Sequence, residues 1–227
     1  MGNLCIIPAR GGSKRVPRKN IKSFLGQPII AYSIKAAIKS NLFSEVMVST
    51  DDKEIAEIAK KNGAKVPFLR SEKTSNDHAT TFQVLEEVIS NYKTRGVEFE
   101  HVCCLYATAP FVTAEKLAAA FGKMKTENKS SIFPVVEFSF PIQRALILNN
   151  GQVEFREPEN RDKRSQDLSK SYHDAGQFYF MTTQVIEDKQ ELVGKKSSVL
   201  IISELEAQDI DNETDWKLAE LKFKLLK

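Results

Sequence analysis

LCIIPARGGSKRVPRKNIK, residues 4–22, is the stretch on which the reading of the fold turns. Its first four residues, Leu4-Cys5-Ile6-Ile7, make a short apolar run suited to a buried strand, and Pro8 with Gly11-Gly12 ends it. Arg10, Lys14, Arg15, Arg18, Lys19 and Lys22 then fall within thirteen positions, and no Asp or Glu precedes Glu45. Such a loop needs an anion. Its glycines let backbone N–H groups turn toward a phosphate while the long cationic side chains close from the sides. It lacks both GxxxxGK[ST] and GxGxxG, so it is neither the P-loop of NTPases nor a dinucleotide fingerprint. It does follow the first strand directly, and open α/β sheets bind ligands beyond the carboxyl ends of their strands. A polyphosphate is the expected ligand.

Outward from that loop, 227 residues at 41% hydrophobic content can bury a substantial core and read as one domain over 1–227. The net charge of +3 is unevenly placed: the first 44 residues hold eight Lys or Arg and no acid, which leaves −5 for the rest. A basic loop on a nearly balanced chain suits a small anion better than nucleic acid, and the loop has no interleaved aromatics for base stacking before Phe24. Cys5, Cys103 and Cys104 lie in apolar runs and read as core thiols rather than a disulfide framework. No apolar segment approaches the roughly 18 residues of a membrane span, and no signal-like segment opens the chain, so a cytoplasmic protein without a membrane partner is expected.

Strand and helix patterns alternate along the chain. Pro28 is placed in the first turn of a helix carrying Ile30, Ile34, Ala37 and Ile38, and EVMVST at 45–50 reads as a strand. Asp51-Asp52 stand where that strand meets the next helix, as metal ligands or as a helix cap. A short strand is expected at 65–68, then a polar loop, SEKTSNDHATT, and a helix over Val84 to Tyr92. HVCCLY at 101–106 reads as a central strand, Thr113 as a helix cap, and SIFPVV and SVLIIS as further strands. This rhythm predicts an α/β fold, a mostly parallel Rossmann-like sheet with helices on both faces. Across 137–167 the rhythm breaks, and Asn149-Asn150-Gly151 between ALIL and QVEF predicts a β-hairpin.

Near the end an acidic run mirrors the basic loop: six acids and no cation lie between Lys196 and Lys217. Asp209 and Asp211, two apart on an extended segment, would present both carboxylates to one side, as a hard cation requires, or Asp211 or Asn212 simply starts the following helix.

The string IPARGGSKRVPRKN, together with HVCCLYATAP, SQDLSKSYHDAGQFYF and DID, resembles the CMP-sialic acid synthetases, the acylneuraminate cytidylyltransferase family, over nearly the whole chain. The resemblance implies transfer of CMP from CTP to the anomeric hydroxyl of a nine-carbon acidic sugar, with pyrophosphate released and no covalent intermediate. It places CTP on Arg10, Gly11, Gly12, Ser13, Lys14, Lys19, Asn20, Arg70 and Thr81, with Arg10, Lys14, Lys19 and Asp211 acting in catalysis. It places magnesium on Asp209 and Asp211, and the sugar among Tyr106, Gln143, Arg144, Tyr172, His173, Asp174, Gly176 and Tyr179. The 137–167 hairpin matches an insertion through which such enzymes form homodimers, although the residues alone equally allow a local flap. Tyr106, where N-acetylneuraminate enzymes usually have Gln, and the order YHDAGQFYF resemble the branch acting on pseudaminic acid, with N-acetylneuraminate and legionaminate as alternative substrates. No general base is identified: metal coordination could acidify the hydroxyl enough to need none, and His173 and Asp174 are the candidates if one is used. A non-catalytic CTP sensor is the rival from another class, and the DID pair argues against it because phosphate binding alone does not require a second, acidic pole.

Overall fold

The structure, a computed structural model, describes residues 2–189 and 191–226. Strand β1 (Gly2–Pro8) leads into the basic loop and a small ribbon of β2 (Ser23–Phe24) and β3 (Gln27–Pro28). There follow α1 (Ile30–Ser40), β4 (Glu45–Ser49), α2 (Lys53–Lys61), the single turn α3 (Glu72–Ser75) and α4 (Thr81–Lys93). Next come β5 (Phe99–Leu105), α5 (Ala114–Thr126) and β6 (Ser131–Glu137). The chain then leaves the sheet for the hairpin β7 (Leu146–Asn149) and β8 (Gln152–Phe155). It returns as β9 (Tyr172–Asp174) and β10 (Phe178–Thr182), and ends with α6 (Thr183–Glu187), β11 (Ser197–Ile202) and α7 (Glu213–Leu225).

The main sheet has the order β11-β6-β10-β5-β1-β4, with β9 also paired to β6. Strands β4, β1 and β5 run parallel, as do β6 and β11, while β10 lies antiparallel between β5 and β6. The sheet is thus mainly parallel, as the βα rhythm predicts. Both faces are covered, because alternate residues of each strand point to opposite sides. Cys5, Ile7, Val48, Cys103 and Leu105 pack with Ile34, Ile55 and Leu117 of α1, α2 and α5. Leu4, Ile6, Met47, Val102 and Cys104 pack with Leu85, Val88 and Ile186 of α4 and α6. The three cysteines are free and buried, and burial pushes the Cys103 and Cys104 thiols up, out of the reactive range.

A smaller cluster joins the two ends of the chain. Val16 of the basic loop, Phe24, Phe111, Ile210, Trp216 and Ala219 are buried together, with Phe24 and Trp216 meeting edge to face at 5.7 Å. Lys22 lies over the Trp216 ring, its Nζ 4.7 Å from the centroid. This packing carries the acidic segment to the basic loop.

Two local expectations give way. Residues 65–68 form no strand: only an isolated bridge, Met47 with Lys65, extends the sheet there, and Pro67 has no N–H with which to continue a ladder. Pro28 pairs with Ser23 in the ribbon, so α1 begins two residues later, at Ile30. The hairpin forms as expected, with Leu148 opposite Val153 and Asn150-Gly151 at φ 47° and 79°, the left-handed pair that a two-residue turn demands.

Candidate active site

The basic loop is held in shape from behind. Asn20 Nδ2 donates to the Arg10 carbonyl at 2.9 Å and ties the loop's two limbs together. Gly11 N–H donates to Asp51 Oδ1 at 3.0 Å, and a Cβ at Gly11 would stand 2.8 Å from Asp52 Oδ2 and 3.1 Å from its Cβ, so a larger residue there would have to push Asp52 away from the start of α2. Arg18, at φ 54°, grips Asp52 at 2.5 and 3.2 Å and Glu54 at 2.5 Å. Asp52 also caps α2 by accepting from Ile55 N–H, and Arg18 holds its carboxyl below the usual range. Of the two readings for Asp51-Asp52, the cap is the one observed, with loop support added.

In front of the loop, beyond the carboxyl ends of β1, β4 and β5, lies a cleft of about 250 Å³. Arg10, Ser13, Lys14, Lys19 and Asn20 line it from the loop, and Arg70, Thr81 and Tyr106 from elsewhere in the chain. Eight residues named from sequence therefore share one cavity. Gly11 and Gly12 are not on its lining. Arg15, Ala79 and Thr108 are, and sequence reasoning assigned none of them; Arg15 was visible only as one cation in a run.

The cations around the cleft are engaged with protein groups. Arg70 is buried and donates to the Ser49 carbonyl at 2.5 Å and to its Oγ at 3.1 Å; burial lowers its pKa, yet a guanidinium stays charged. Lys19 Nζ donates to the Ile210 carbonyl at 2.6 Å, and Arg15 meets Asp211 at 2.8 Å. Burial draws the Lys19 amine down, while Asp211 and Asp209 pull the other way. Arg10 and Lys14 both pair with Asp77.

The two poles separated by nearly the whole chain thus touch. Ile210 is buried, while Asp209 is exposed and Asp211 half-buried, the alternation expected of an extended segment. Asn212 caps α7 with Asp215 completing the capping box, so neither Asp209 nor Asp211 fills the cap. Among the described residues no three His, Cys, Asp or Glu side chains gather around one point. Neither Asp209 nor Asp211 is on the cleft lining; Asp211 reaches it only through Arg15, which is, so the two carboxylates stand beside the cleft, and oxygen donors of this kind suit a hard cation that completes its shell with other oxygens.

Beside the cleft, Tyr106 ends the central strand. Its hydroxyl is 3.2 Å from Thr81 Oγ1, and its ring meets Tyr179 edge-on at 5.6 Å. Tyr179 donates to Asp174 Oδ2 at 2.7 Å, and Gly176 N–H donates to Asp174 Oδ1 at 2.8 Å. Burial pushes both tyrosine hydroxyls up, so they remain protonated donors. Between β9 and β10 the ladder advances from Ile132 to Val135 on β6 but from Phe180 back to Asp174 on the other side, an outward bulge around Gly176 at φ 62°. Tyr106, Thr81, Tyr179, Asp174 and Gly176 therefore form one contiguous wall.

Of the remaining sugar candidates, Gln143 and Arg144 stand on the arm that leaves the sheet, and Tyr172 and His173 stand on β9, where the chain rejoins it. Tyr172 pairs with Glu137, and His173 packs against Phe138 at 5.0 Å. Gln143 Nε2 donates to the Ser169 carbonyl at 2.8 Å, its Oε1 is buried without a partner, and Arg144 is exposed in the same turn. Gln177, buried with its Nε2 on the Glu206 carbonyl at 2.5 Å, links the bulge to the segment before Asp209; it stands inside YHDAGQFYF, but the sequence reading gave it no role.

Known proteins resemble this chain over nearly its whole length. The cytidylyltransferase family profile matches residues 4–216. The pseudaminic acid cytidylyltransferase of Campylobacter jejuni is 45% identical over 99% of this chain and 97% of its own length. The CMP-N,N'-diacetyllegionaminic acid synthase of Legionella pneumophila is 34% identical over 98% of this chain and 96% of its own. Among solved structures, a CMP:2-keto-3-deoxy-manno-octonic acid synthetase complexed with CTP superposes with a TM-score of 0.72 at 17% identity, covering all of both chains, and so shares the fold.

Proposed function

Because the chain belongs to the cytidylyltransferase family, we propose that it transfers CMP from CTP to the anomeric hydroxyl of pseudaminic acid, a nine-carbon acidic sugar, and releases pyrophosphate. The observation that carries this reading is the meeting of the basic loop with Asp209-Ile210-Asp211 through Lys19 and Arg15. One pole neutralises a triphosphate, and the other is suited to a metal ion beside it.

In this reading Arg10, Lys14 and Lys19 take the charge of the β- and γ-phosphates, and Ser13 donates a hydrogen bond. Arg70 and Thr81 hold the nucleotide at the other end of the cleft. The sugar lies along Tyr106, Tyr179 and the Gly176 bulge, with Gln143 and Arg144 bordering it from the arm and Tyr172 and His173 from β9. Its anomeric oxygen attacks the α-phosphorus in line and the bond to pyrophosphate breaks, so the protein's work is positioning and charge neutralisation. Asp174, with both oxygens accepting hydrogen bonds, orients Tyr179 and the bulge. Asp209 and Asp211 would hold magnesium, whose charge stabilises the phosphates in the transition state.

We also propose a cytoplasmic homodimer. Phe140, Leu146, Leu148 and Val153 on the arm are 82, 59, 73 and 63% exposed, and a second copy would cover them. No helix among the described residues is long and apolar enough to cross a membrane. Incubation with CTP, magnesium and pseudaminic acid should release pyrophosphate in proportion to CMP-sugar formed. Failure to release it with any nonulosonic acid would overturn the assignment.

A further inference from the structure

Asp77 lies in the polar loop after α3 and belongs to no element of the reaction described above. Its carboxylate pairs with Arg10 at 2.8 Å and with Lys14, two of the three cations assigned to the triphosphate. The surrounding turn is built to hold it there: Arg10 also donates to the Asn76 carbonyl at 3.0 Å, Asn76 Nδ2 donates to Lys73, and His78 N–H donates to Asn76 Oδ1. The loop is anchored behind by Glu87, which accepts from Ser71 and Thr74. All three charged groups remain partly open, with side chains 35% (Arg10), 78% (Lys14) and 41% (Asp77) exposed, so the pairs can be exchanged for others.

We propose that Asp77 is an internal counter-anion, occupying the basic loop in place of phosphate until the nucleotide displaces it and returning when pyrophosphate leaves. This rests on the cytidylyltransferase reading. One carboxylate shared by two cations leaves a net positive charge, so the loop still draws anions. An arriving ligand must nonetheless outcompete Asp77 at both cations. A triphosphate or pyrophosphate, with several charged oxygens, can satisfy both at once, whereas a lone phosphate replaces one carboxylate with little gain. Asp77 thereby sets a threshold of ligand charge, weakening every polyphosphate somewhat and speeding product release.

The test is calorimetric binding of CTP and of inorganic pyrophosphate to the wild type, Asp77→Asn and Asp77→Glu. Asp77→Asn keeps the shape and removes the competing charge, and is expected to bind both ligands about two- to fivefold more tightly, the scale of exposed ion pairs. Its inhibition by product pyrophosphate should strengthen in parallel, while Asp77→Glu stays near wild type. Unchanged or weaker binding by Asp77→Asn would overturn the proposal, since Asp77 would then be inert or be holding the cations in place for the ligand. If the wild type binds neither ligand, the cytidylyltransferase reading fails with it.

Discussion

Lys19 has the most consequential single position in the site, because it joins the basic loop to the DID backbone while Arg15 joins it to the Asp211 side chain. Lys19→Ala removes both the cation proposed to meet phosphate and this tie, and we expect CTP affinity and turnover to fall by about 1.5–3 kcal/mol, the scale of a charged hydrogen bond. Titration calorimetry and steady-state rates check it; no change in either would remove Lys19 from the site. Asp52 gives a pH-dependent expectation. Arg18 holds the native carboxyl below its unfolded value of about 3.9, so the pair stabilises fully above that pH and its contribution disappears as pH falls through the lower native value. Asp52→Asn keeps a capping side chain but loses the charge. It should melt lower than wild type at pH 7, by up to about 1 kcal/mol because Arg18 is partly solvated, and the gap should close in acid. A gap that persists unchanged at pH 2 would contradict this. The cationic cluster was plain in the sequence, but the role of Asp51-Asp52 was not, since a helix cap and a loop support use the same residues.

At the scale of elements, α and β segments were legible wherever apolar periodicity was long, as in 101–106 and Val84 to Tyr92, and failed at 65–68, where a proline interrupts a short run. The β7–β8 hairpin was legible from its turn, yet its partner was not, because a two-stranded ribbon is marginal without cover. Leu146 and Leu148 share one of its faces with Val153 and Phe155 across the ladder. We expect wild type to scatter light as a dimer at micromolar concentration and Leu148→Asp to shift toward monomer; a monodisperse, fully active wild-type monomer would defeat the proposed interface. The DID segment makes a second element-level prediction. With Asn212 and Asp215 capping α7, Asp211→Asn should leave the melting temperature nearly intact and abolish most metal-dependent turnover. A large loss of stability with normal activity in the remaining folded protein would assign Asp211 to structure instead.

For the whole molecule, the sharpest prediction concerns sugar choice. Tyr106 presents a broad ring, its hydroxyl near Thr81, to the proposed sugar pocket, a surface suited to a methyl group rather than a hydroxylated chain. In one reaction holding equal pseudaminic acid and N-acetylneuraminate, CMP-pseudaminate should predominate, though an apolar pocket rejects an added hydroxyl by only about a hundredfold. A majority of CMP-N-acetylneuraminate would refute the preference and leave the transfer of CMP intact. The amino-acid sequence by itself determined the alternation of the long strands and helices, the cationic loop and the acidic pair, because those follow from local periodicity, turn chemistry and charge spacing, while short pieces such as β2, β3, α3 and β9 escaped it. Tertiary structure decided what no local pattern encodes. Burial of Val16 and Ile210 in one cluster brings the two charged poles into contact, the bulge at Gly176 builds a wall beside Tyr106, and Asp77 closes on Arg10 and Lys14. Each joins residues far apart in the chain, and such contacts depend on how the packed elements meet rather than on what each segment prefers alone.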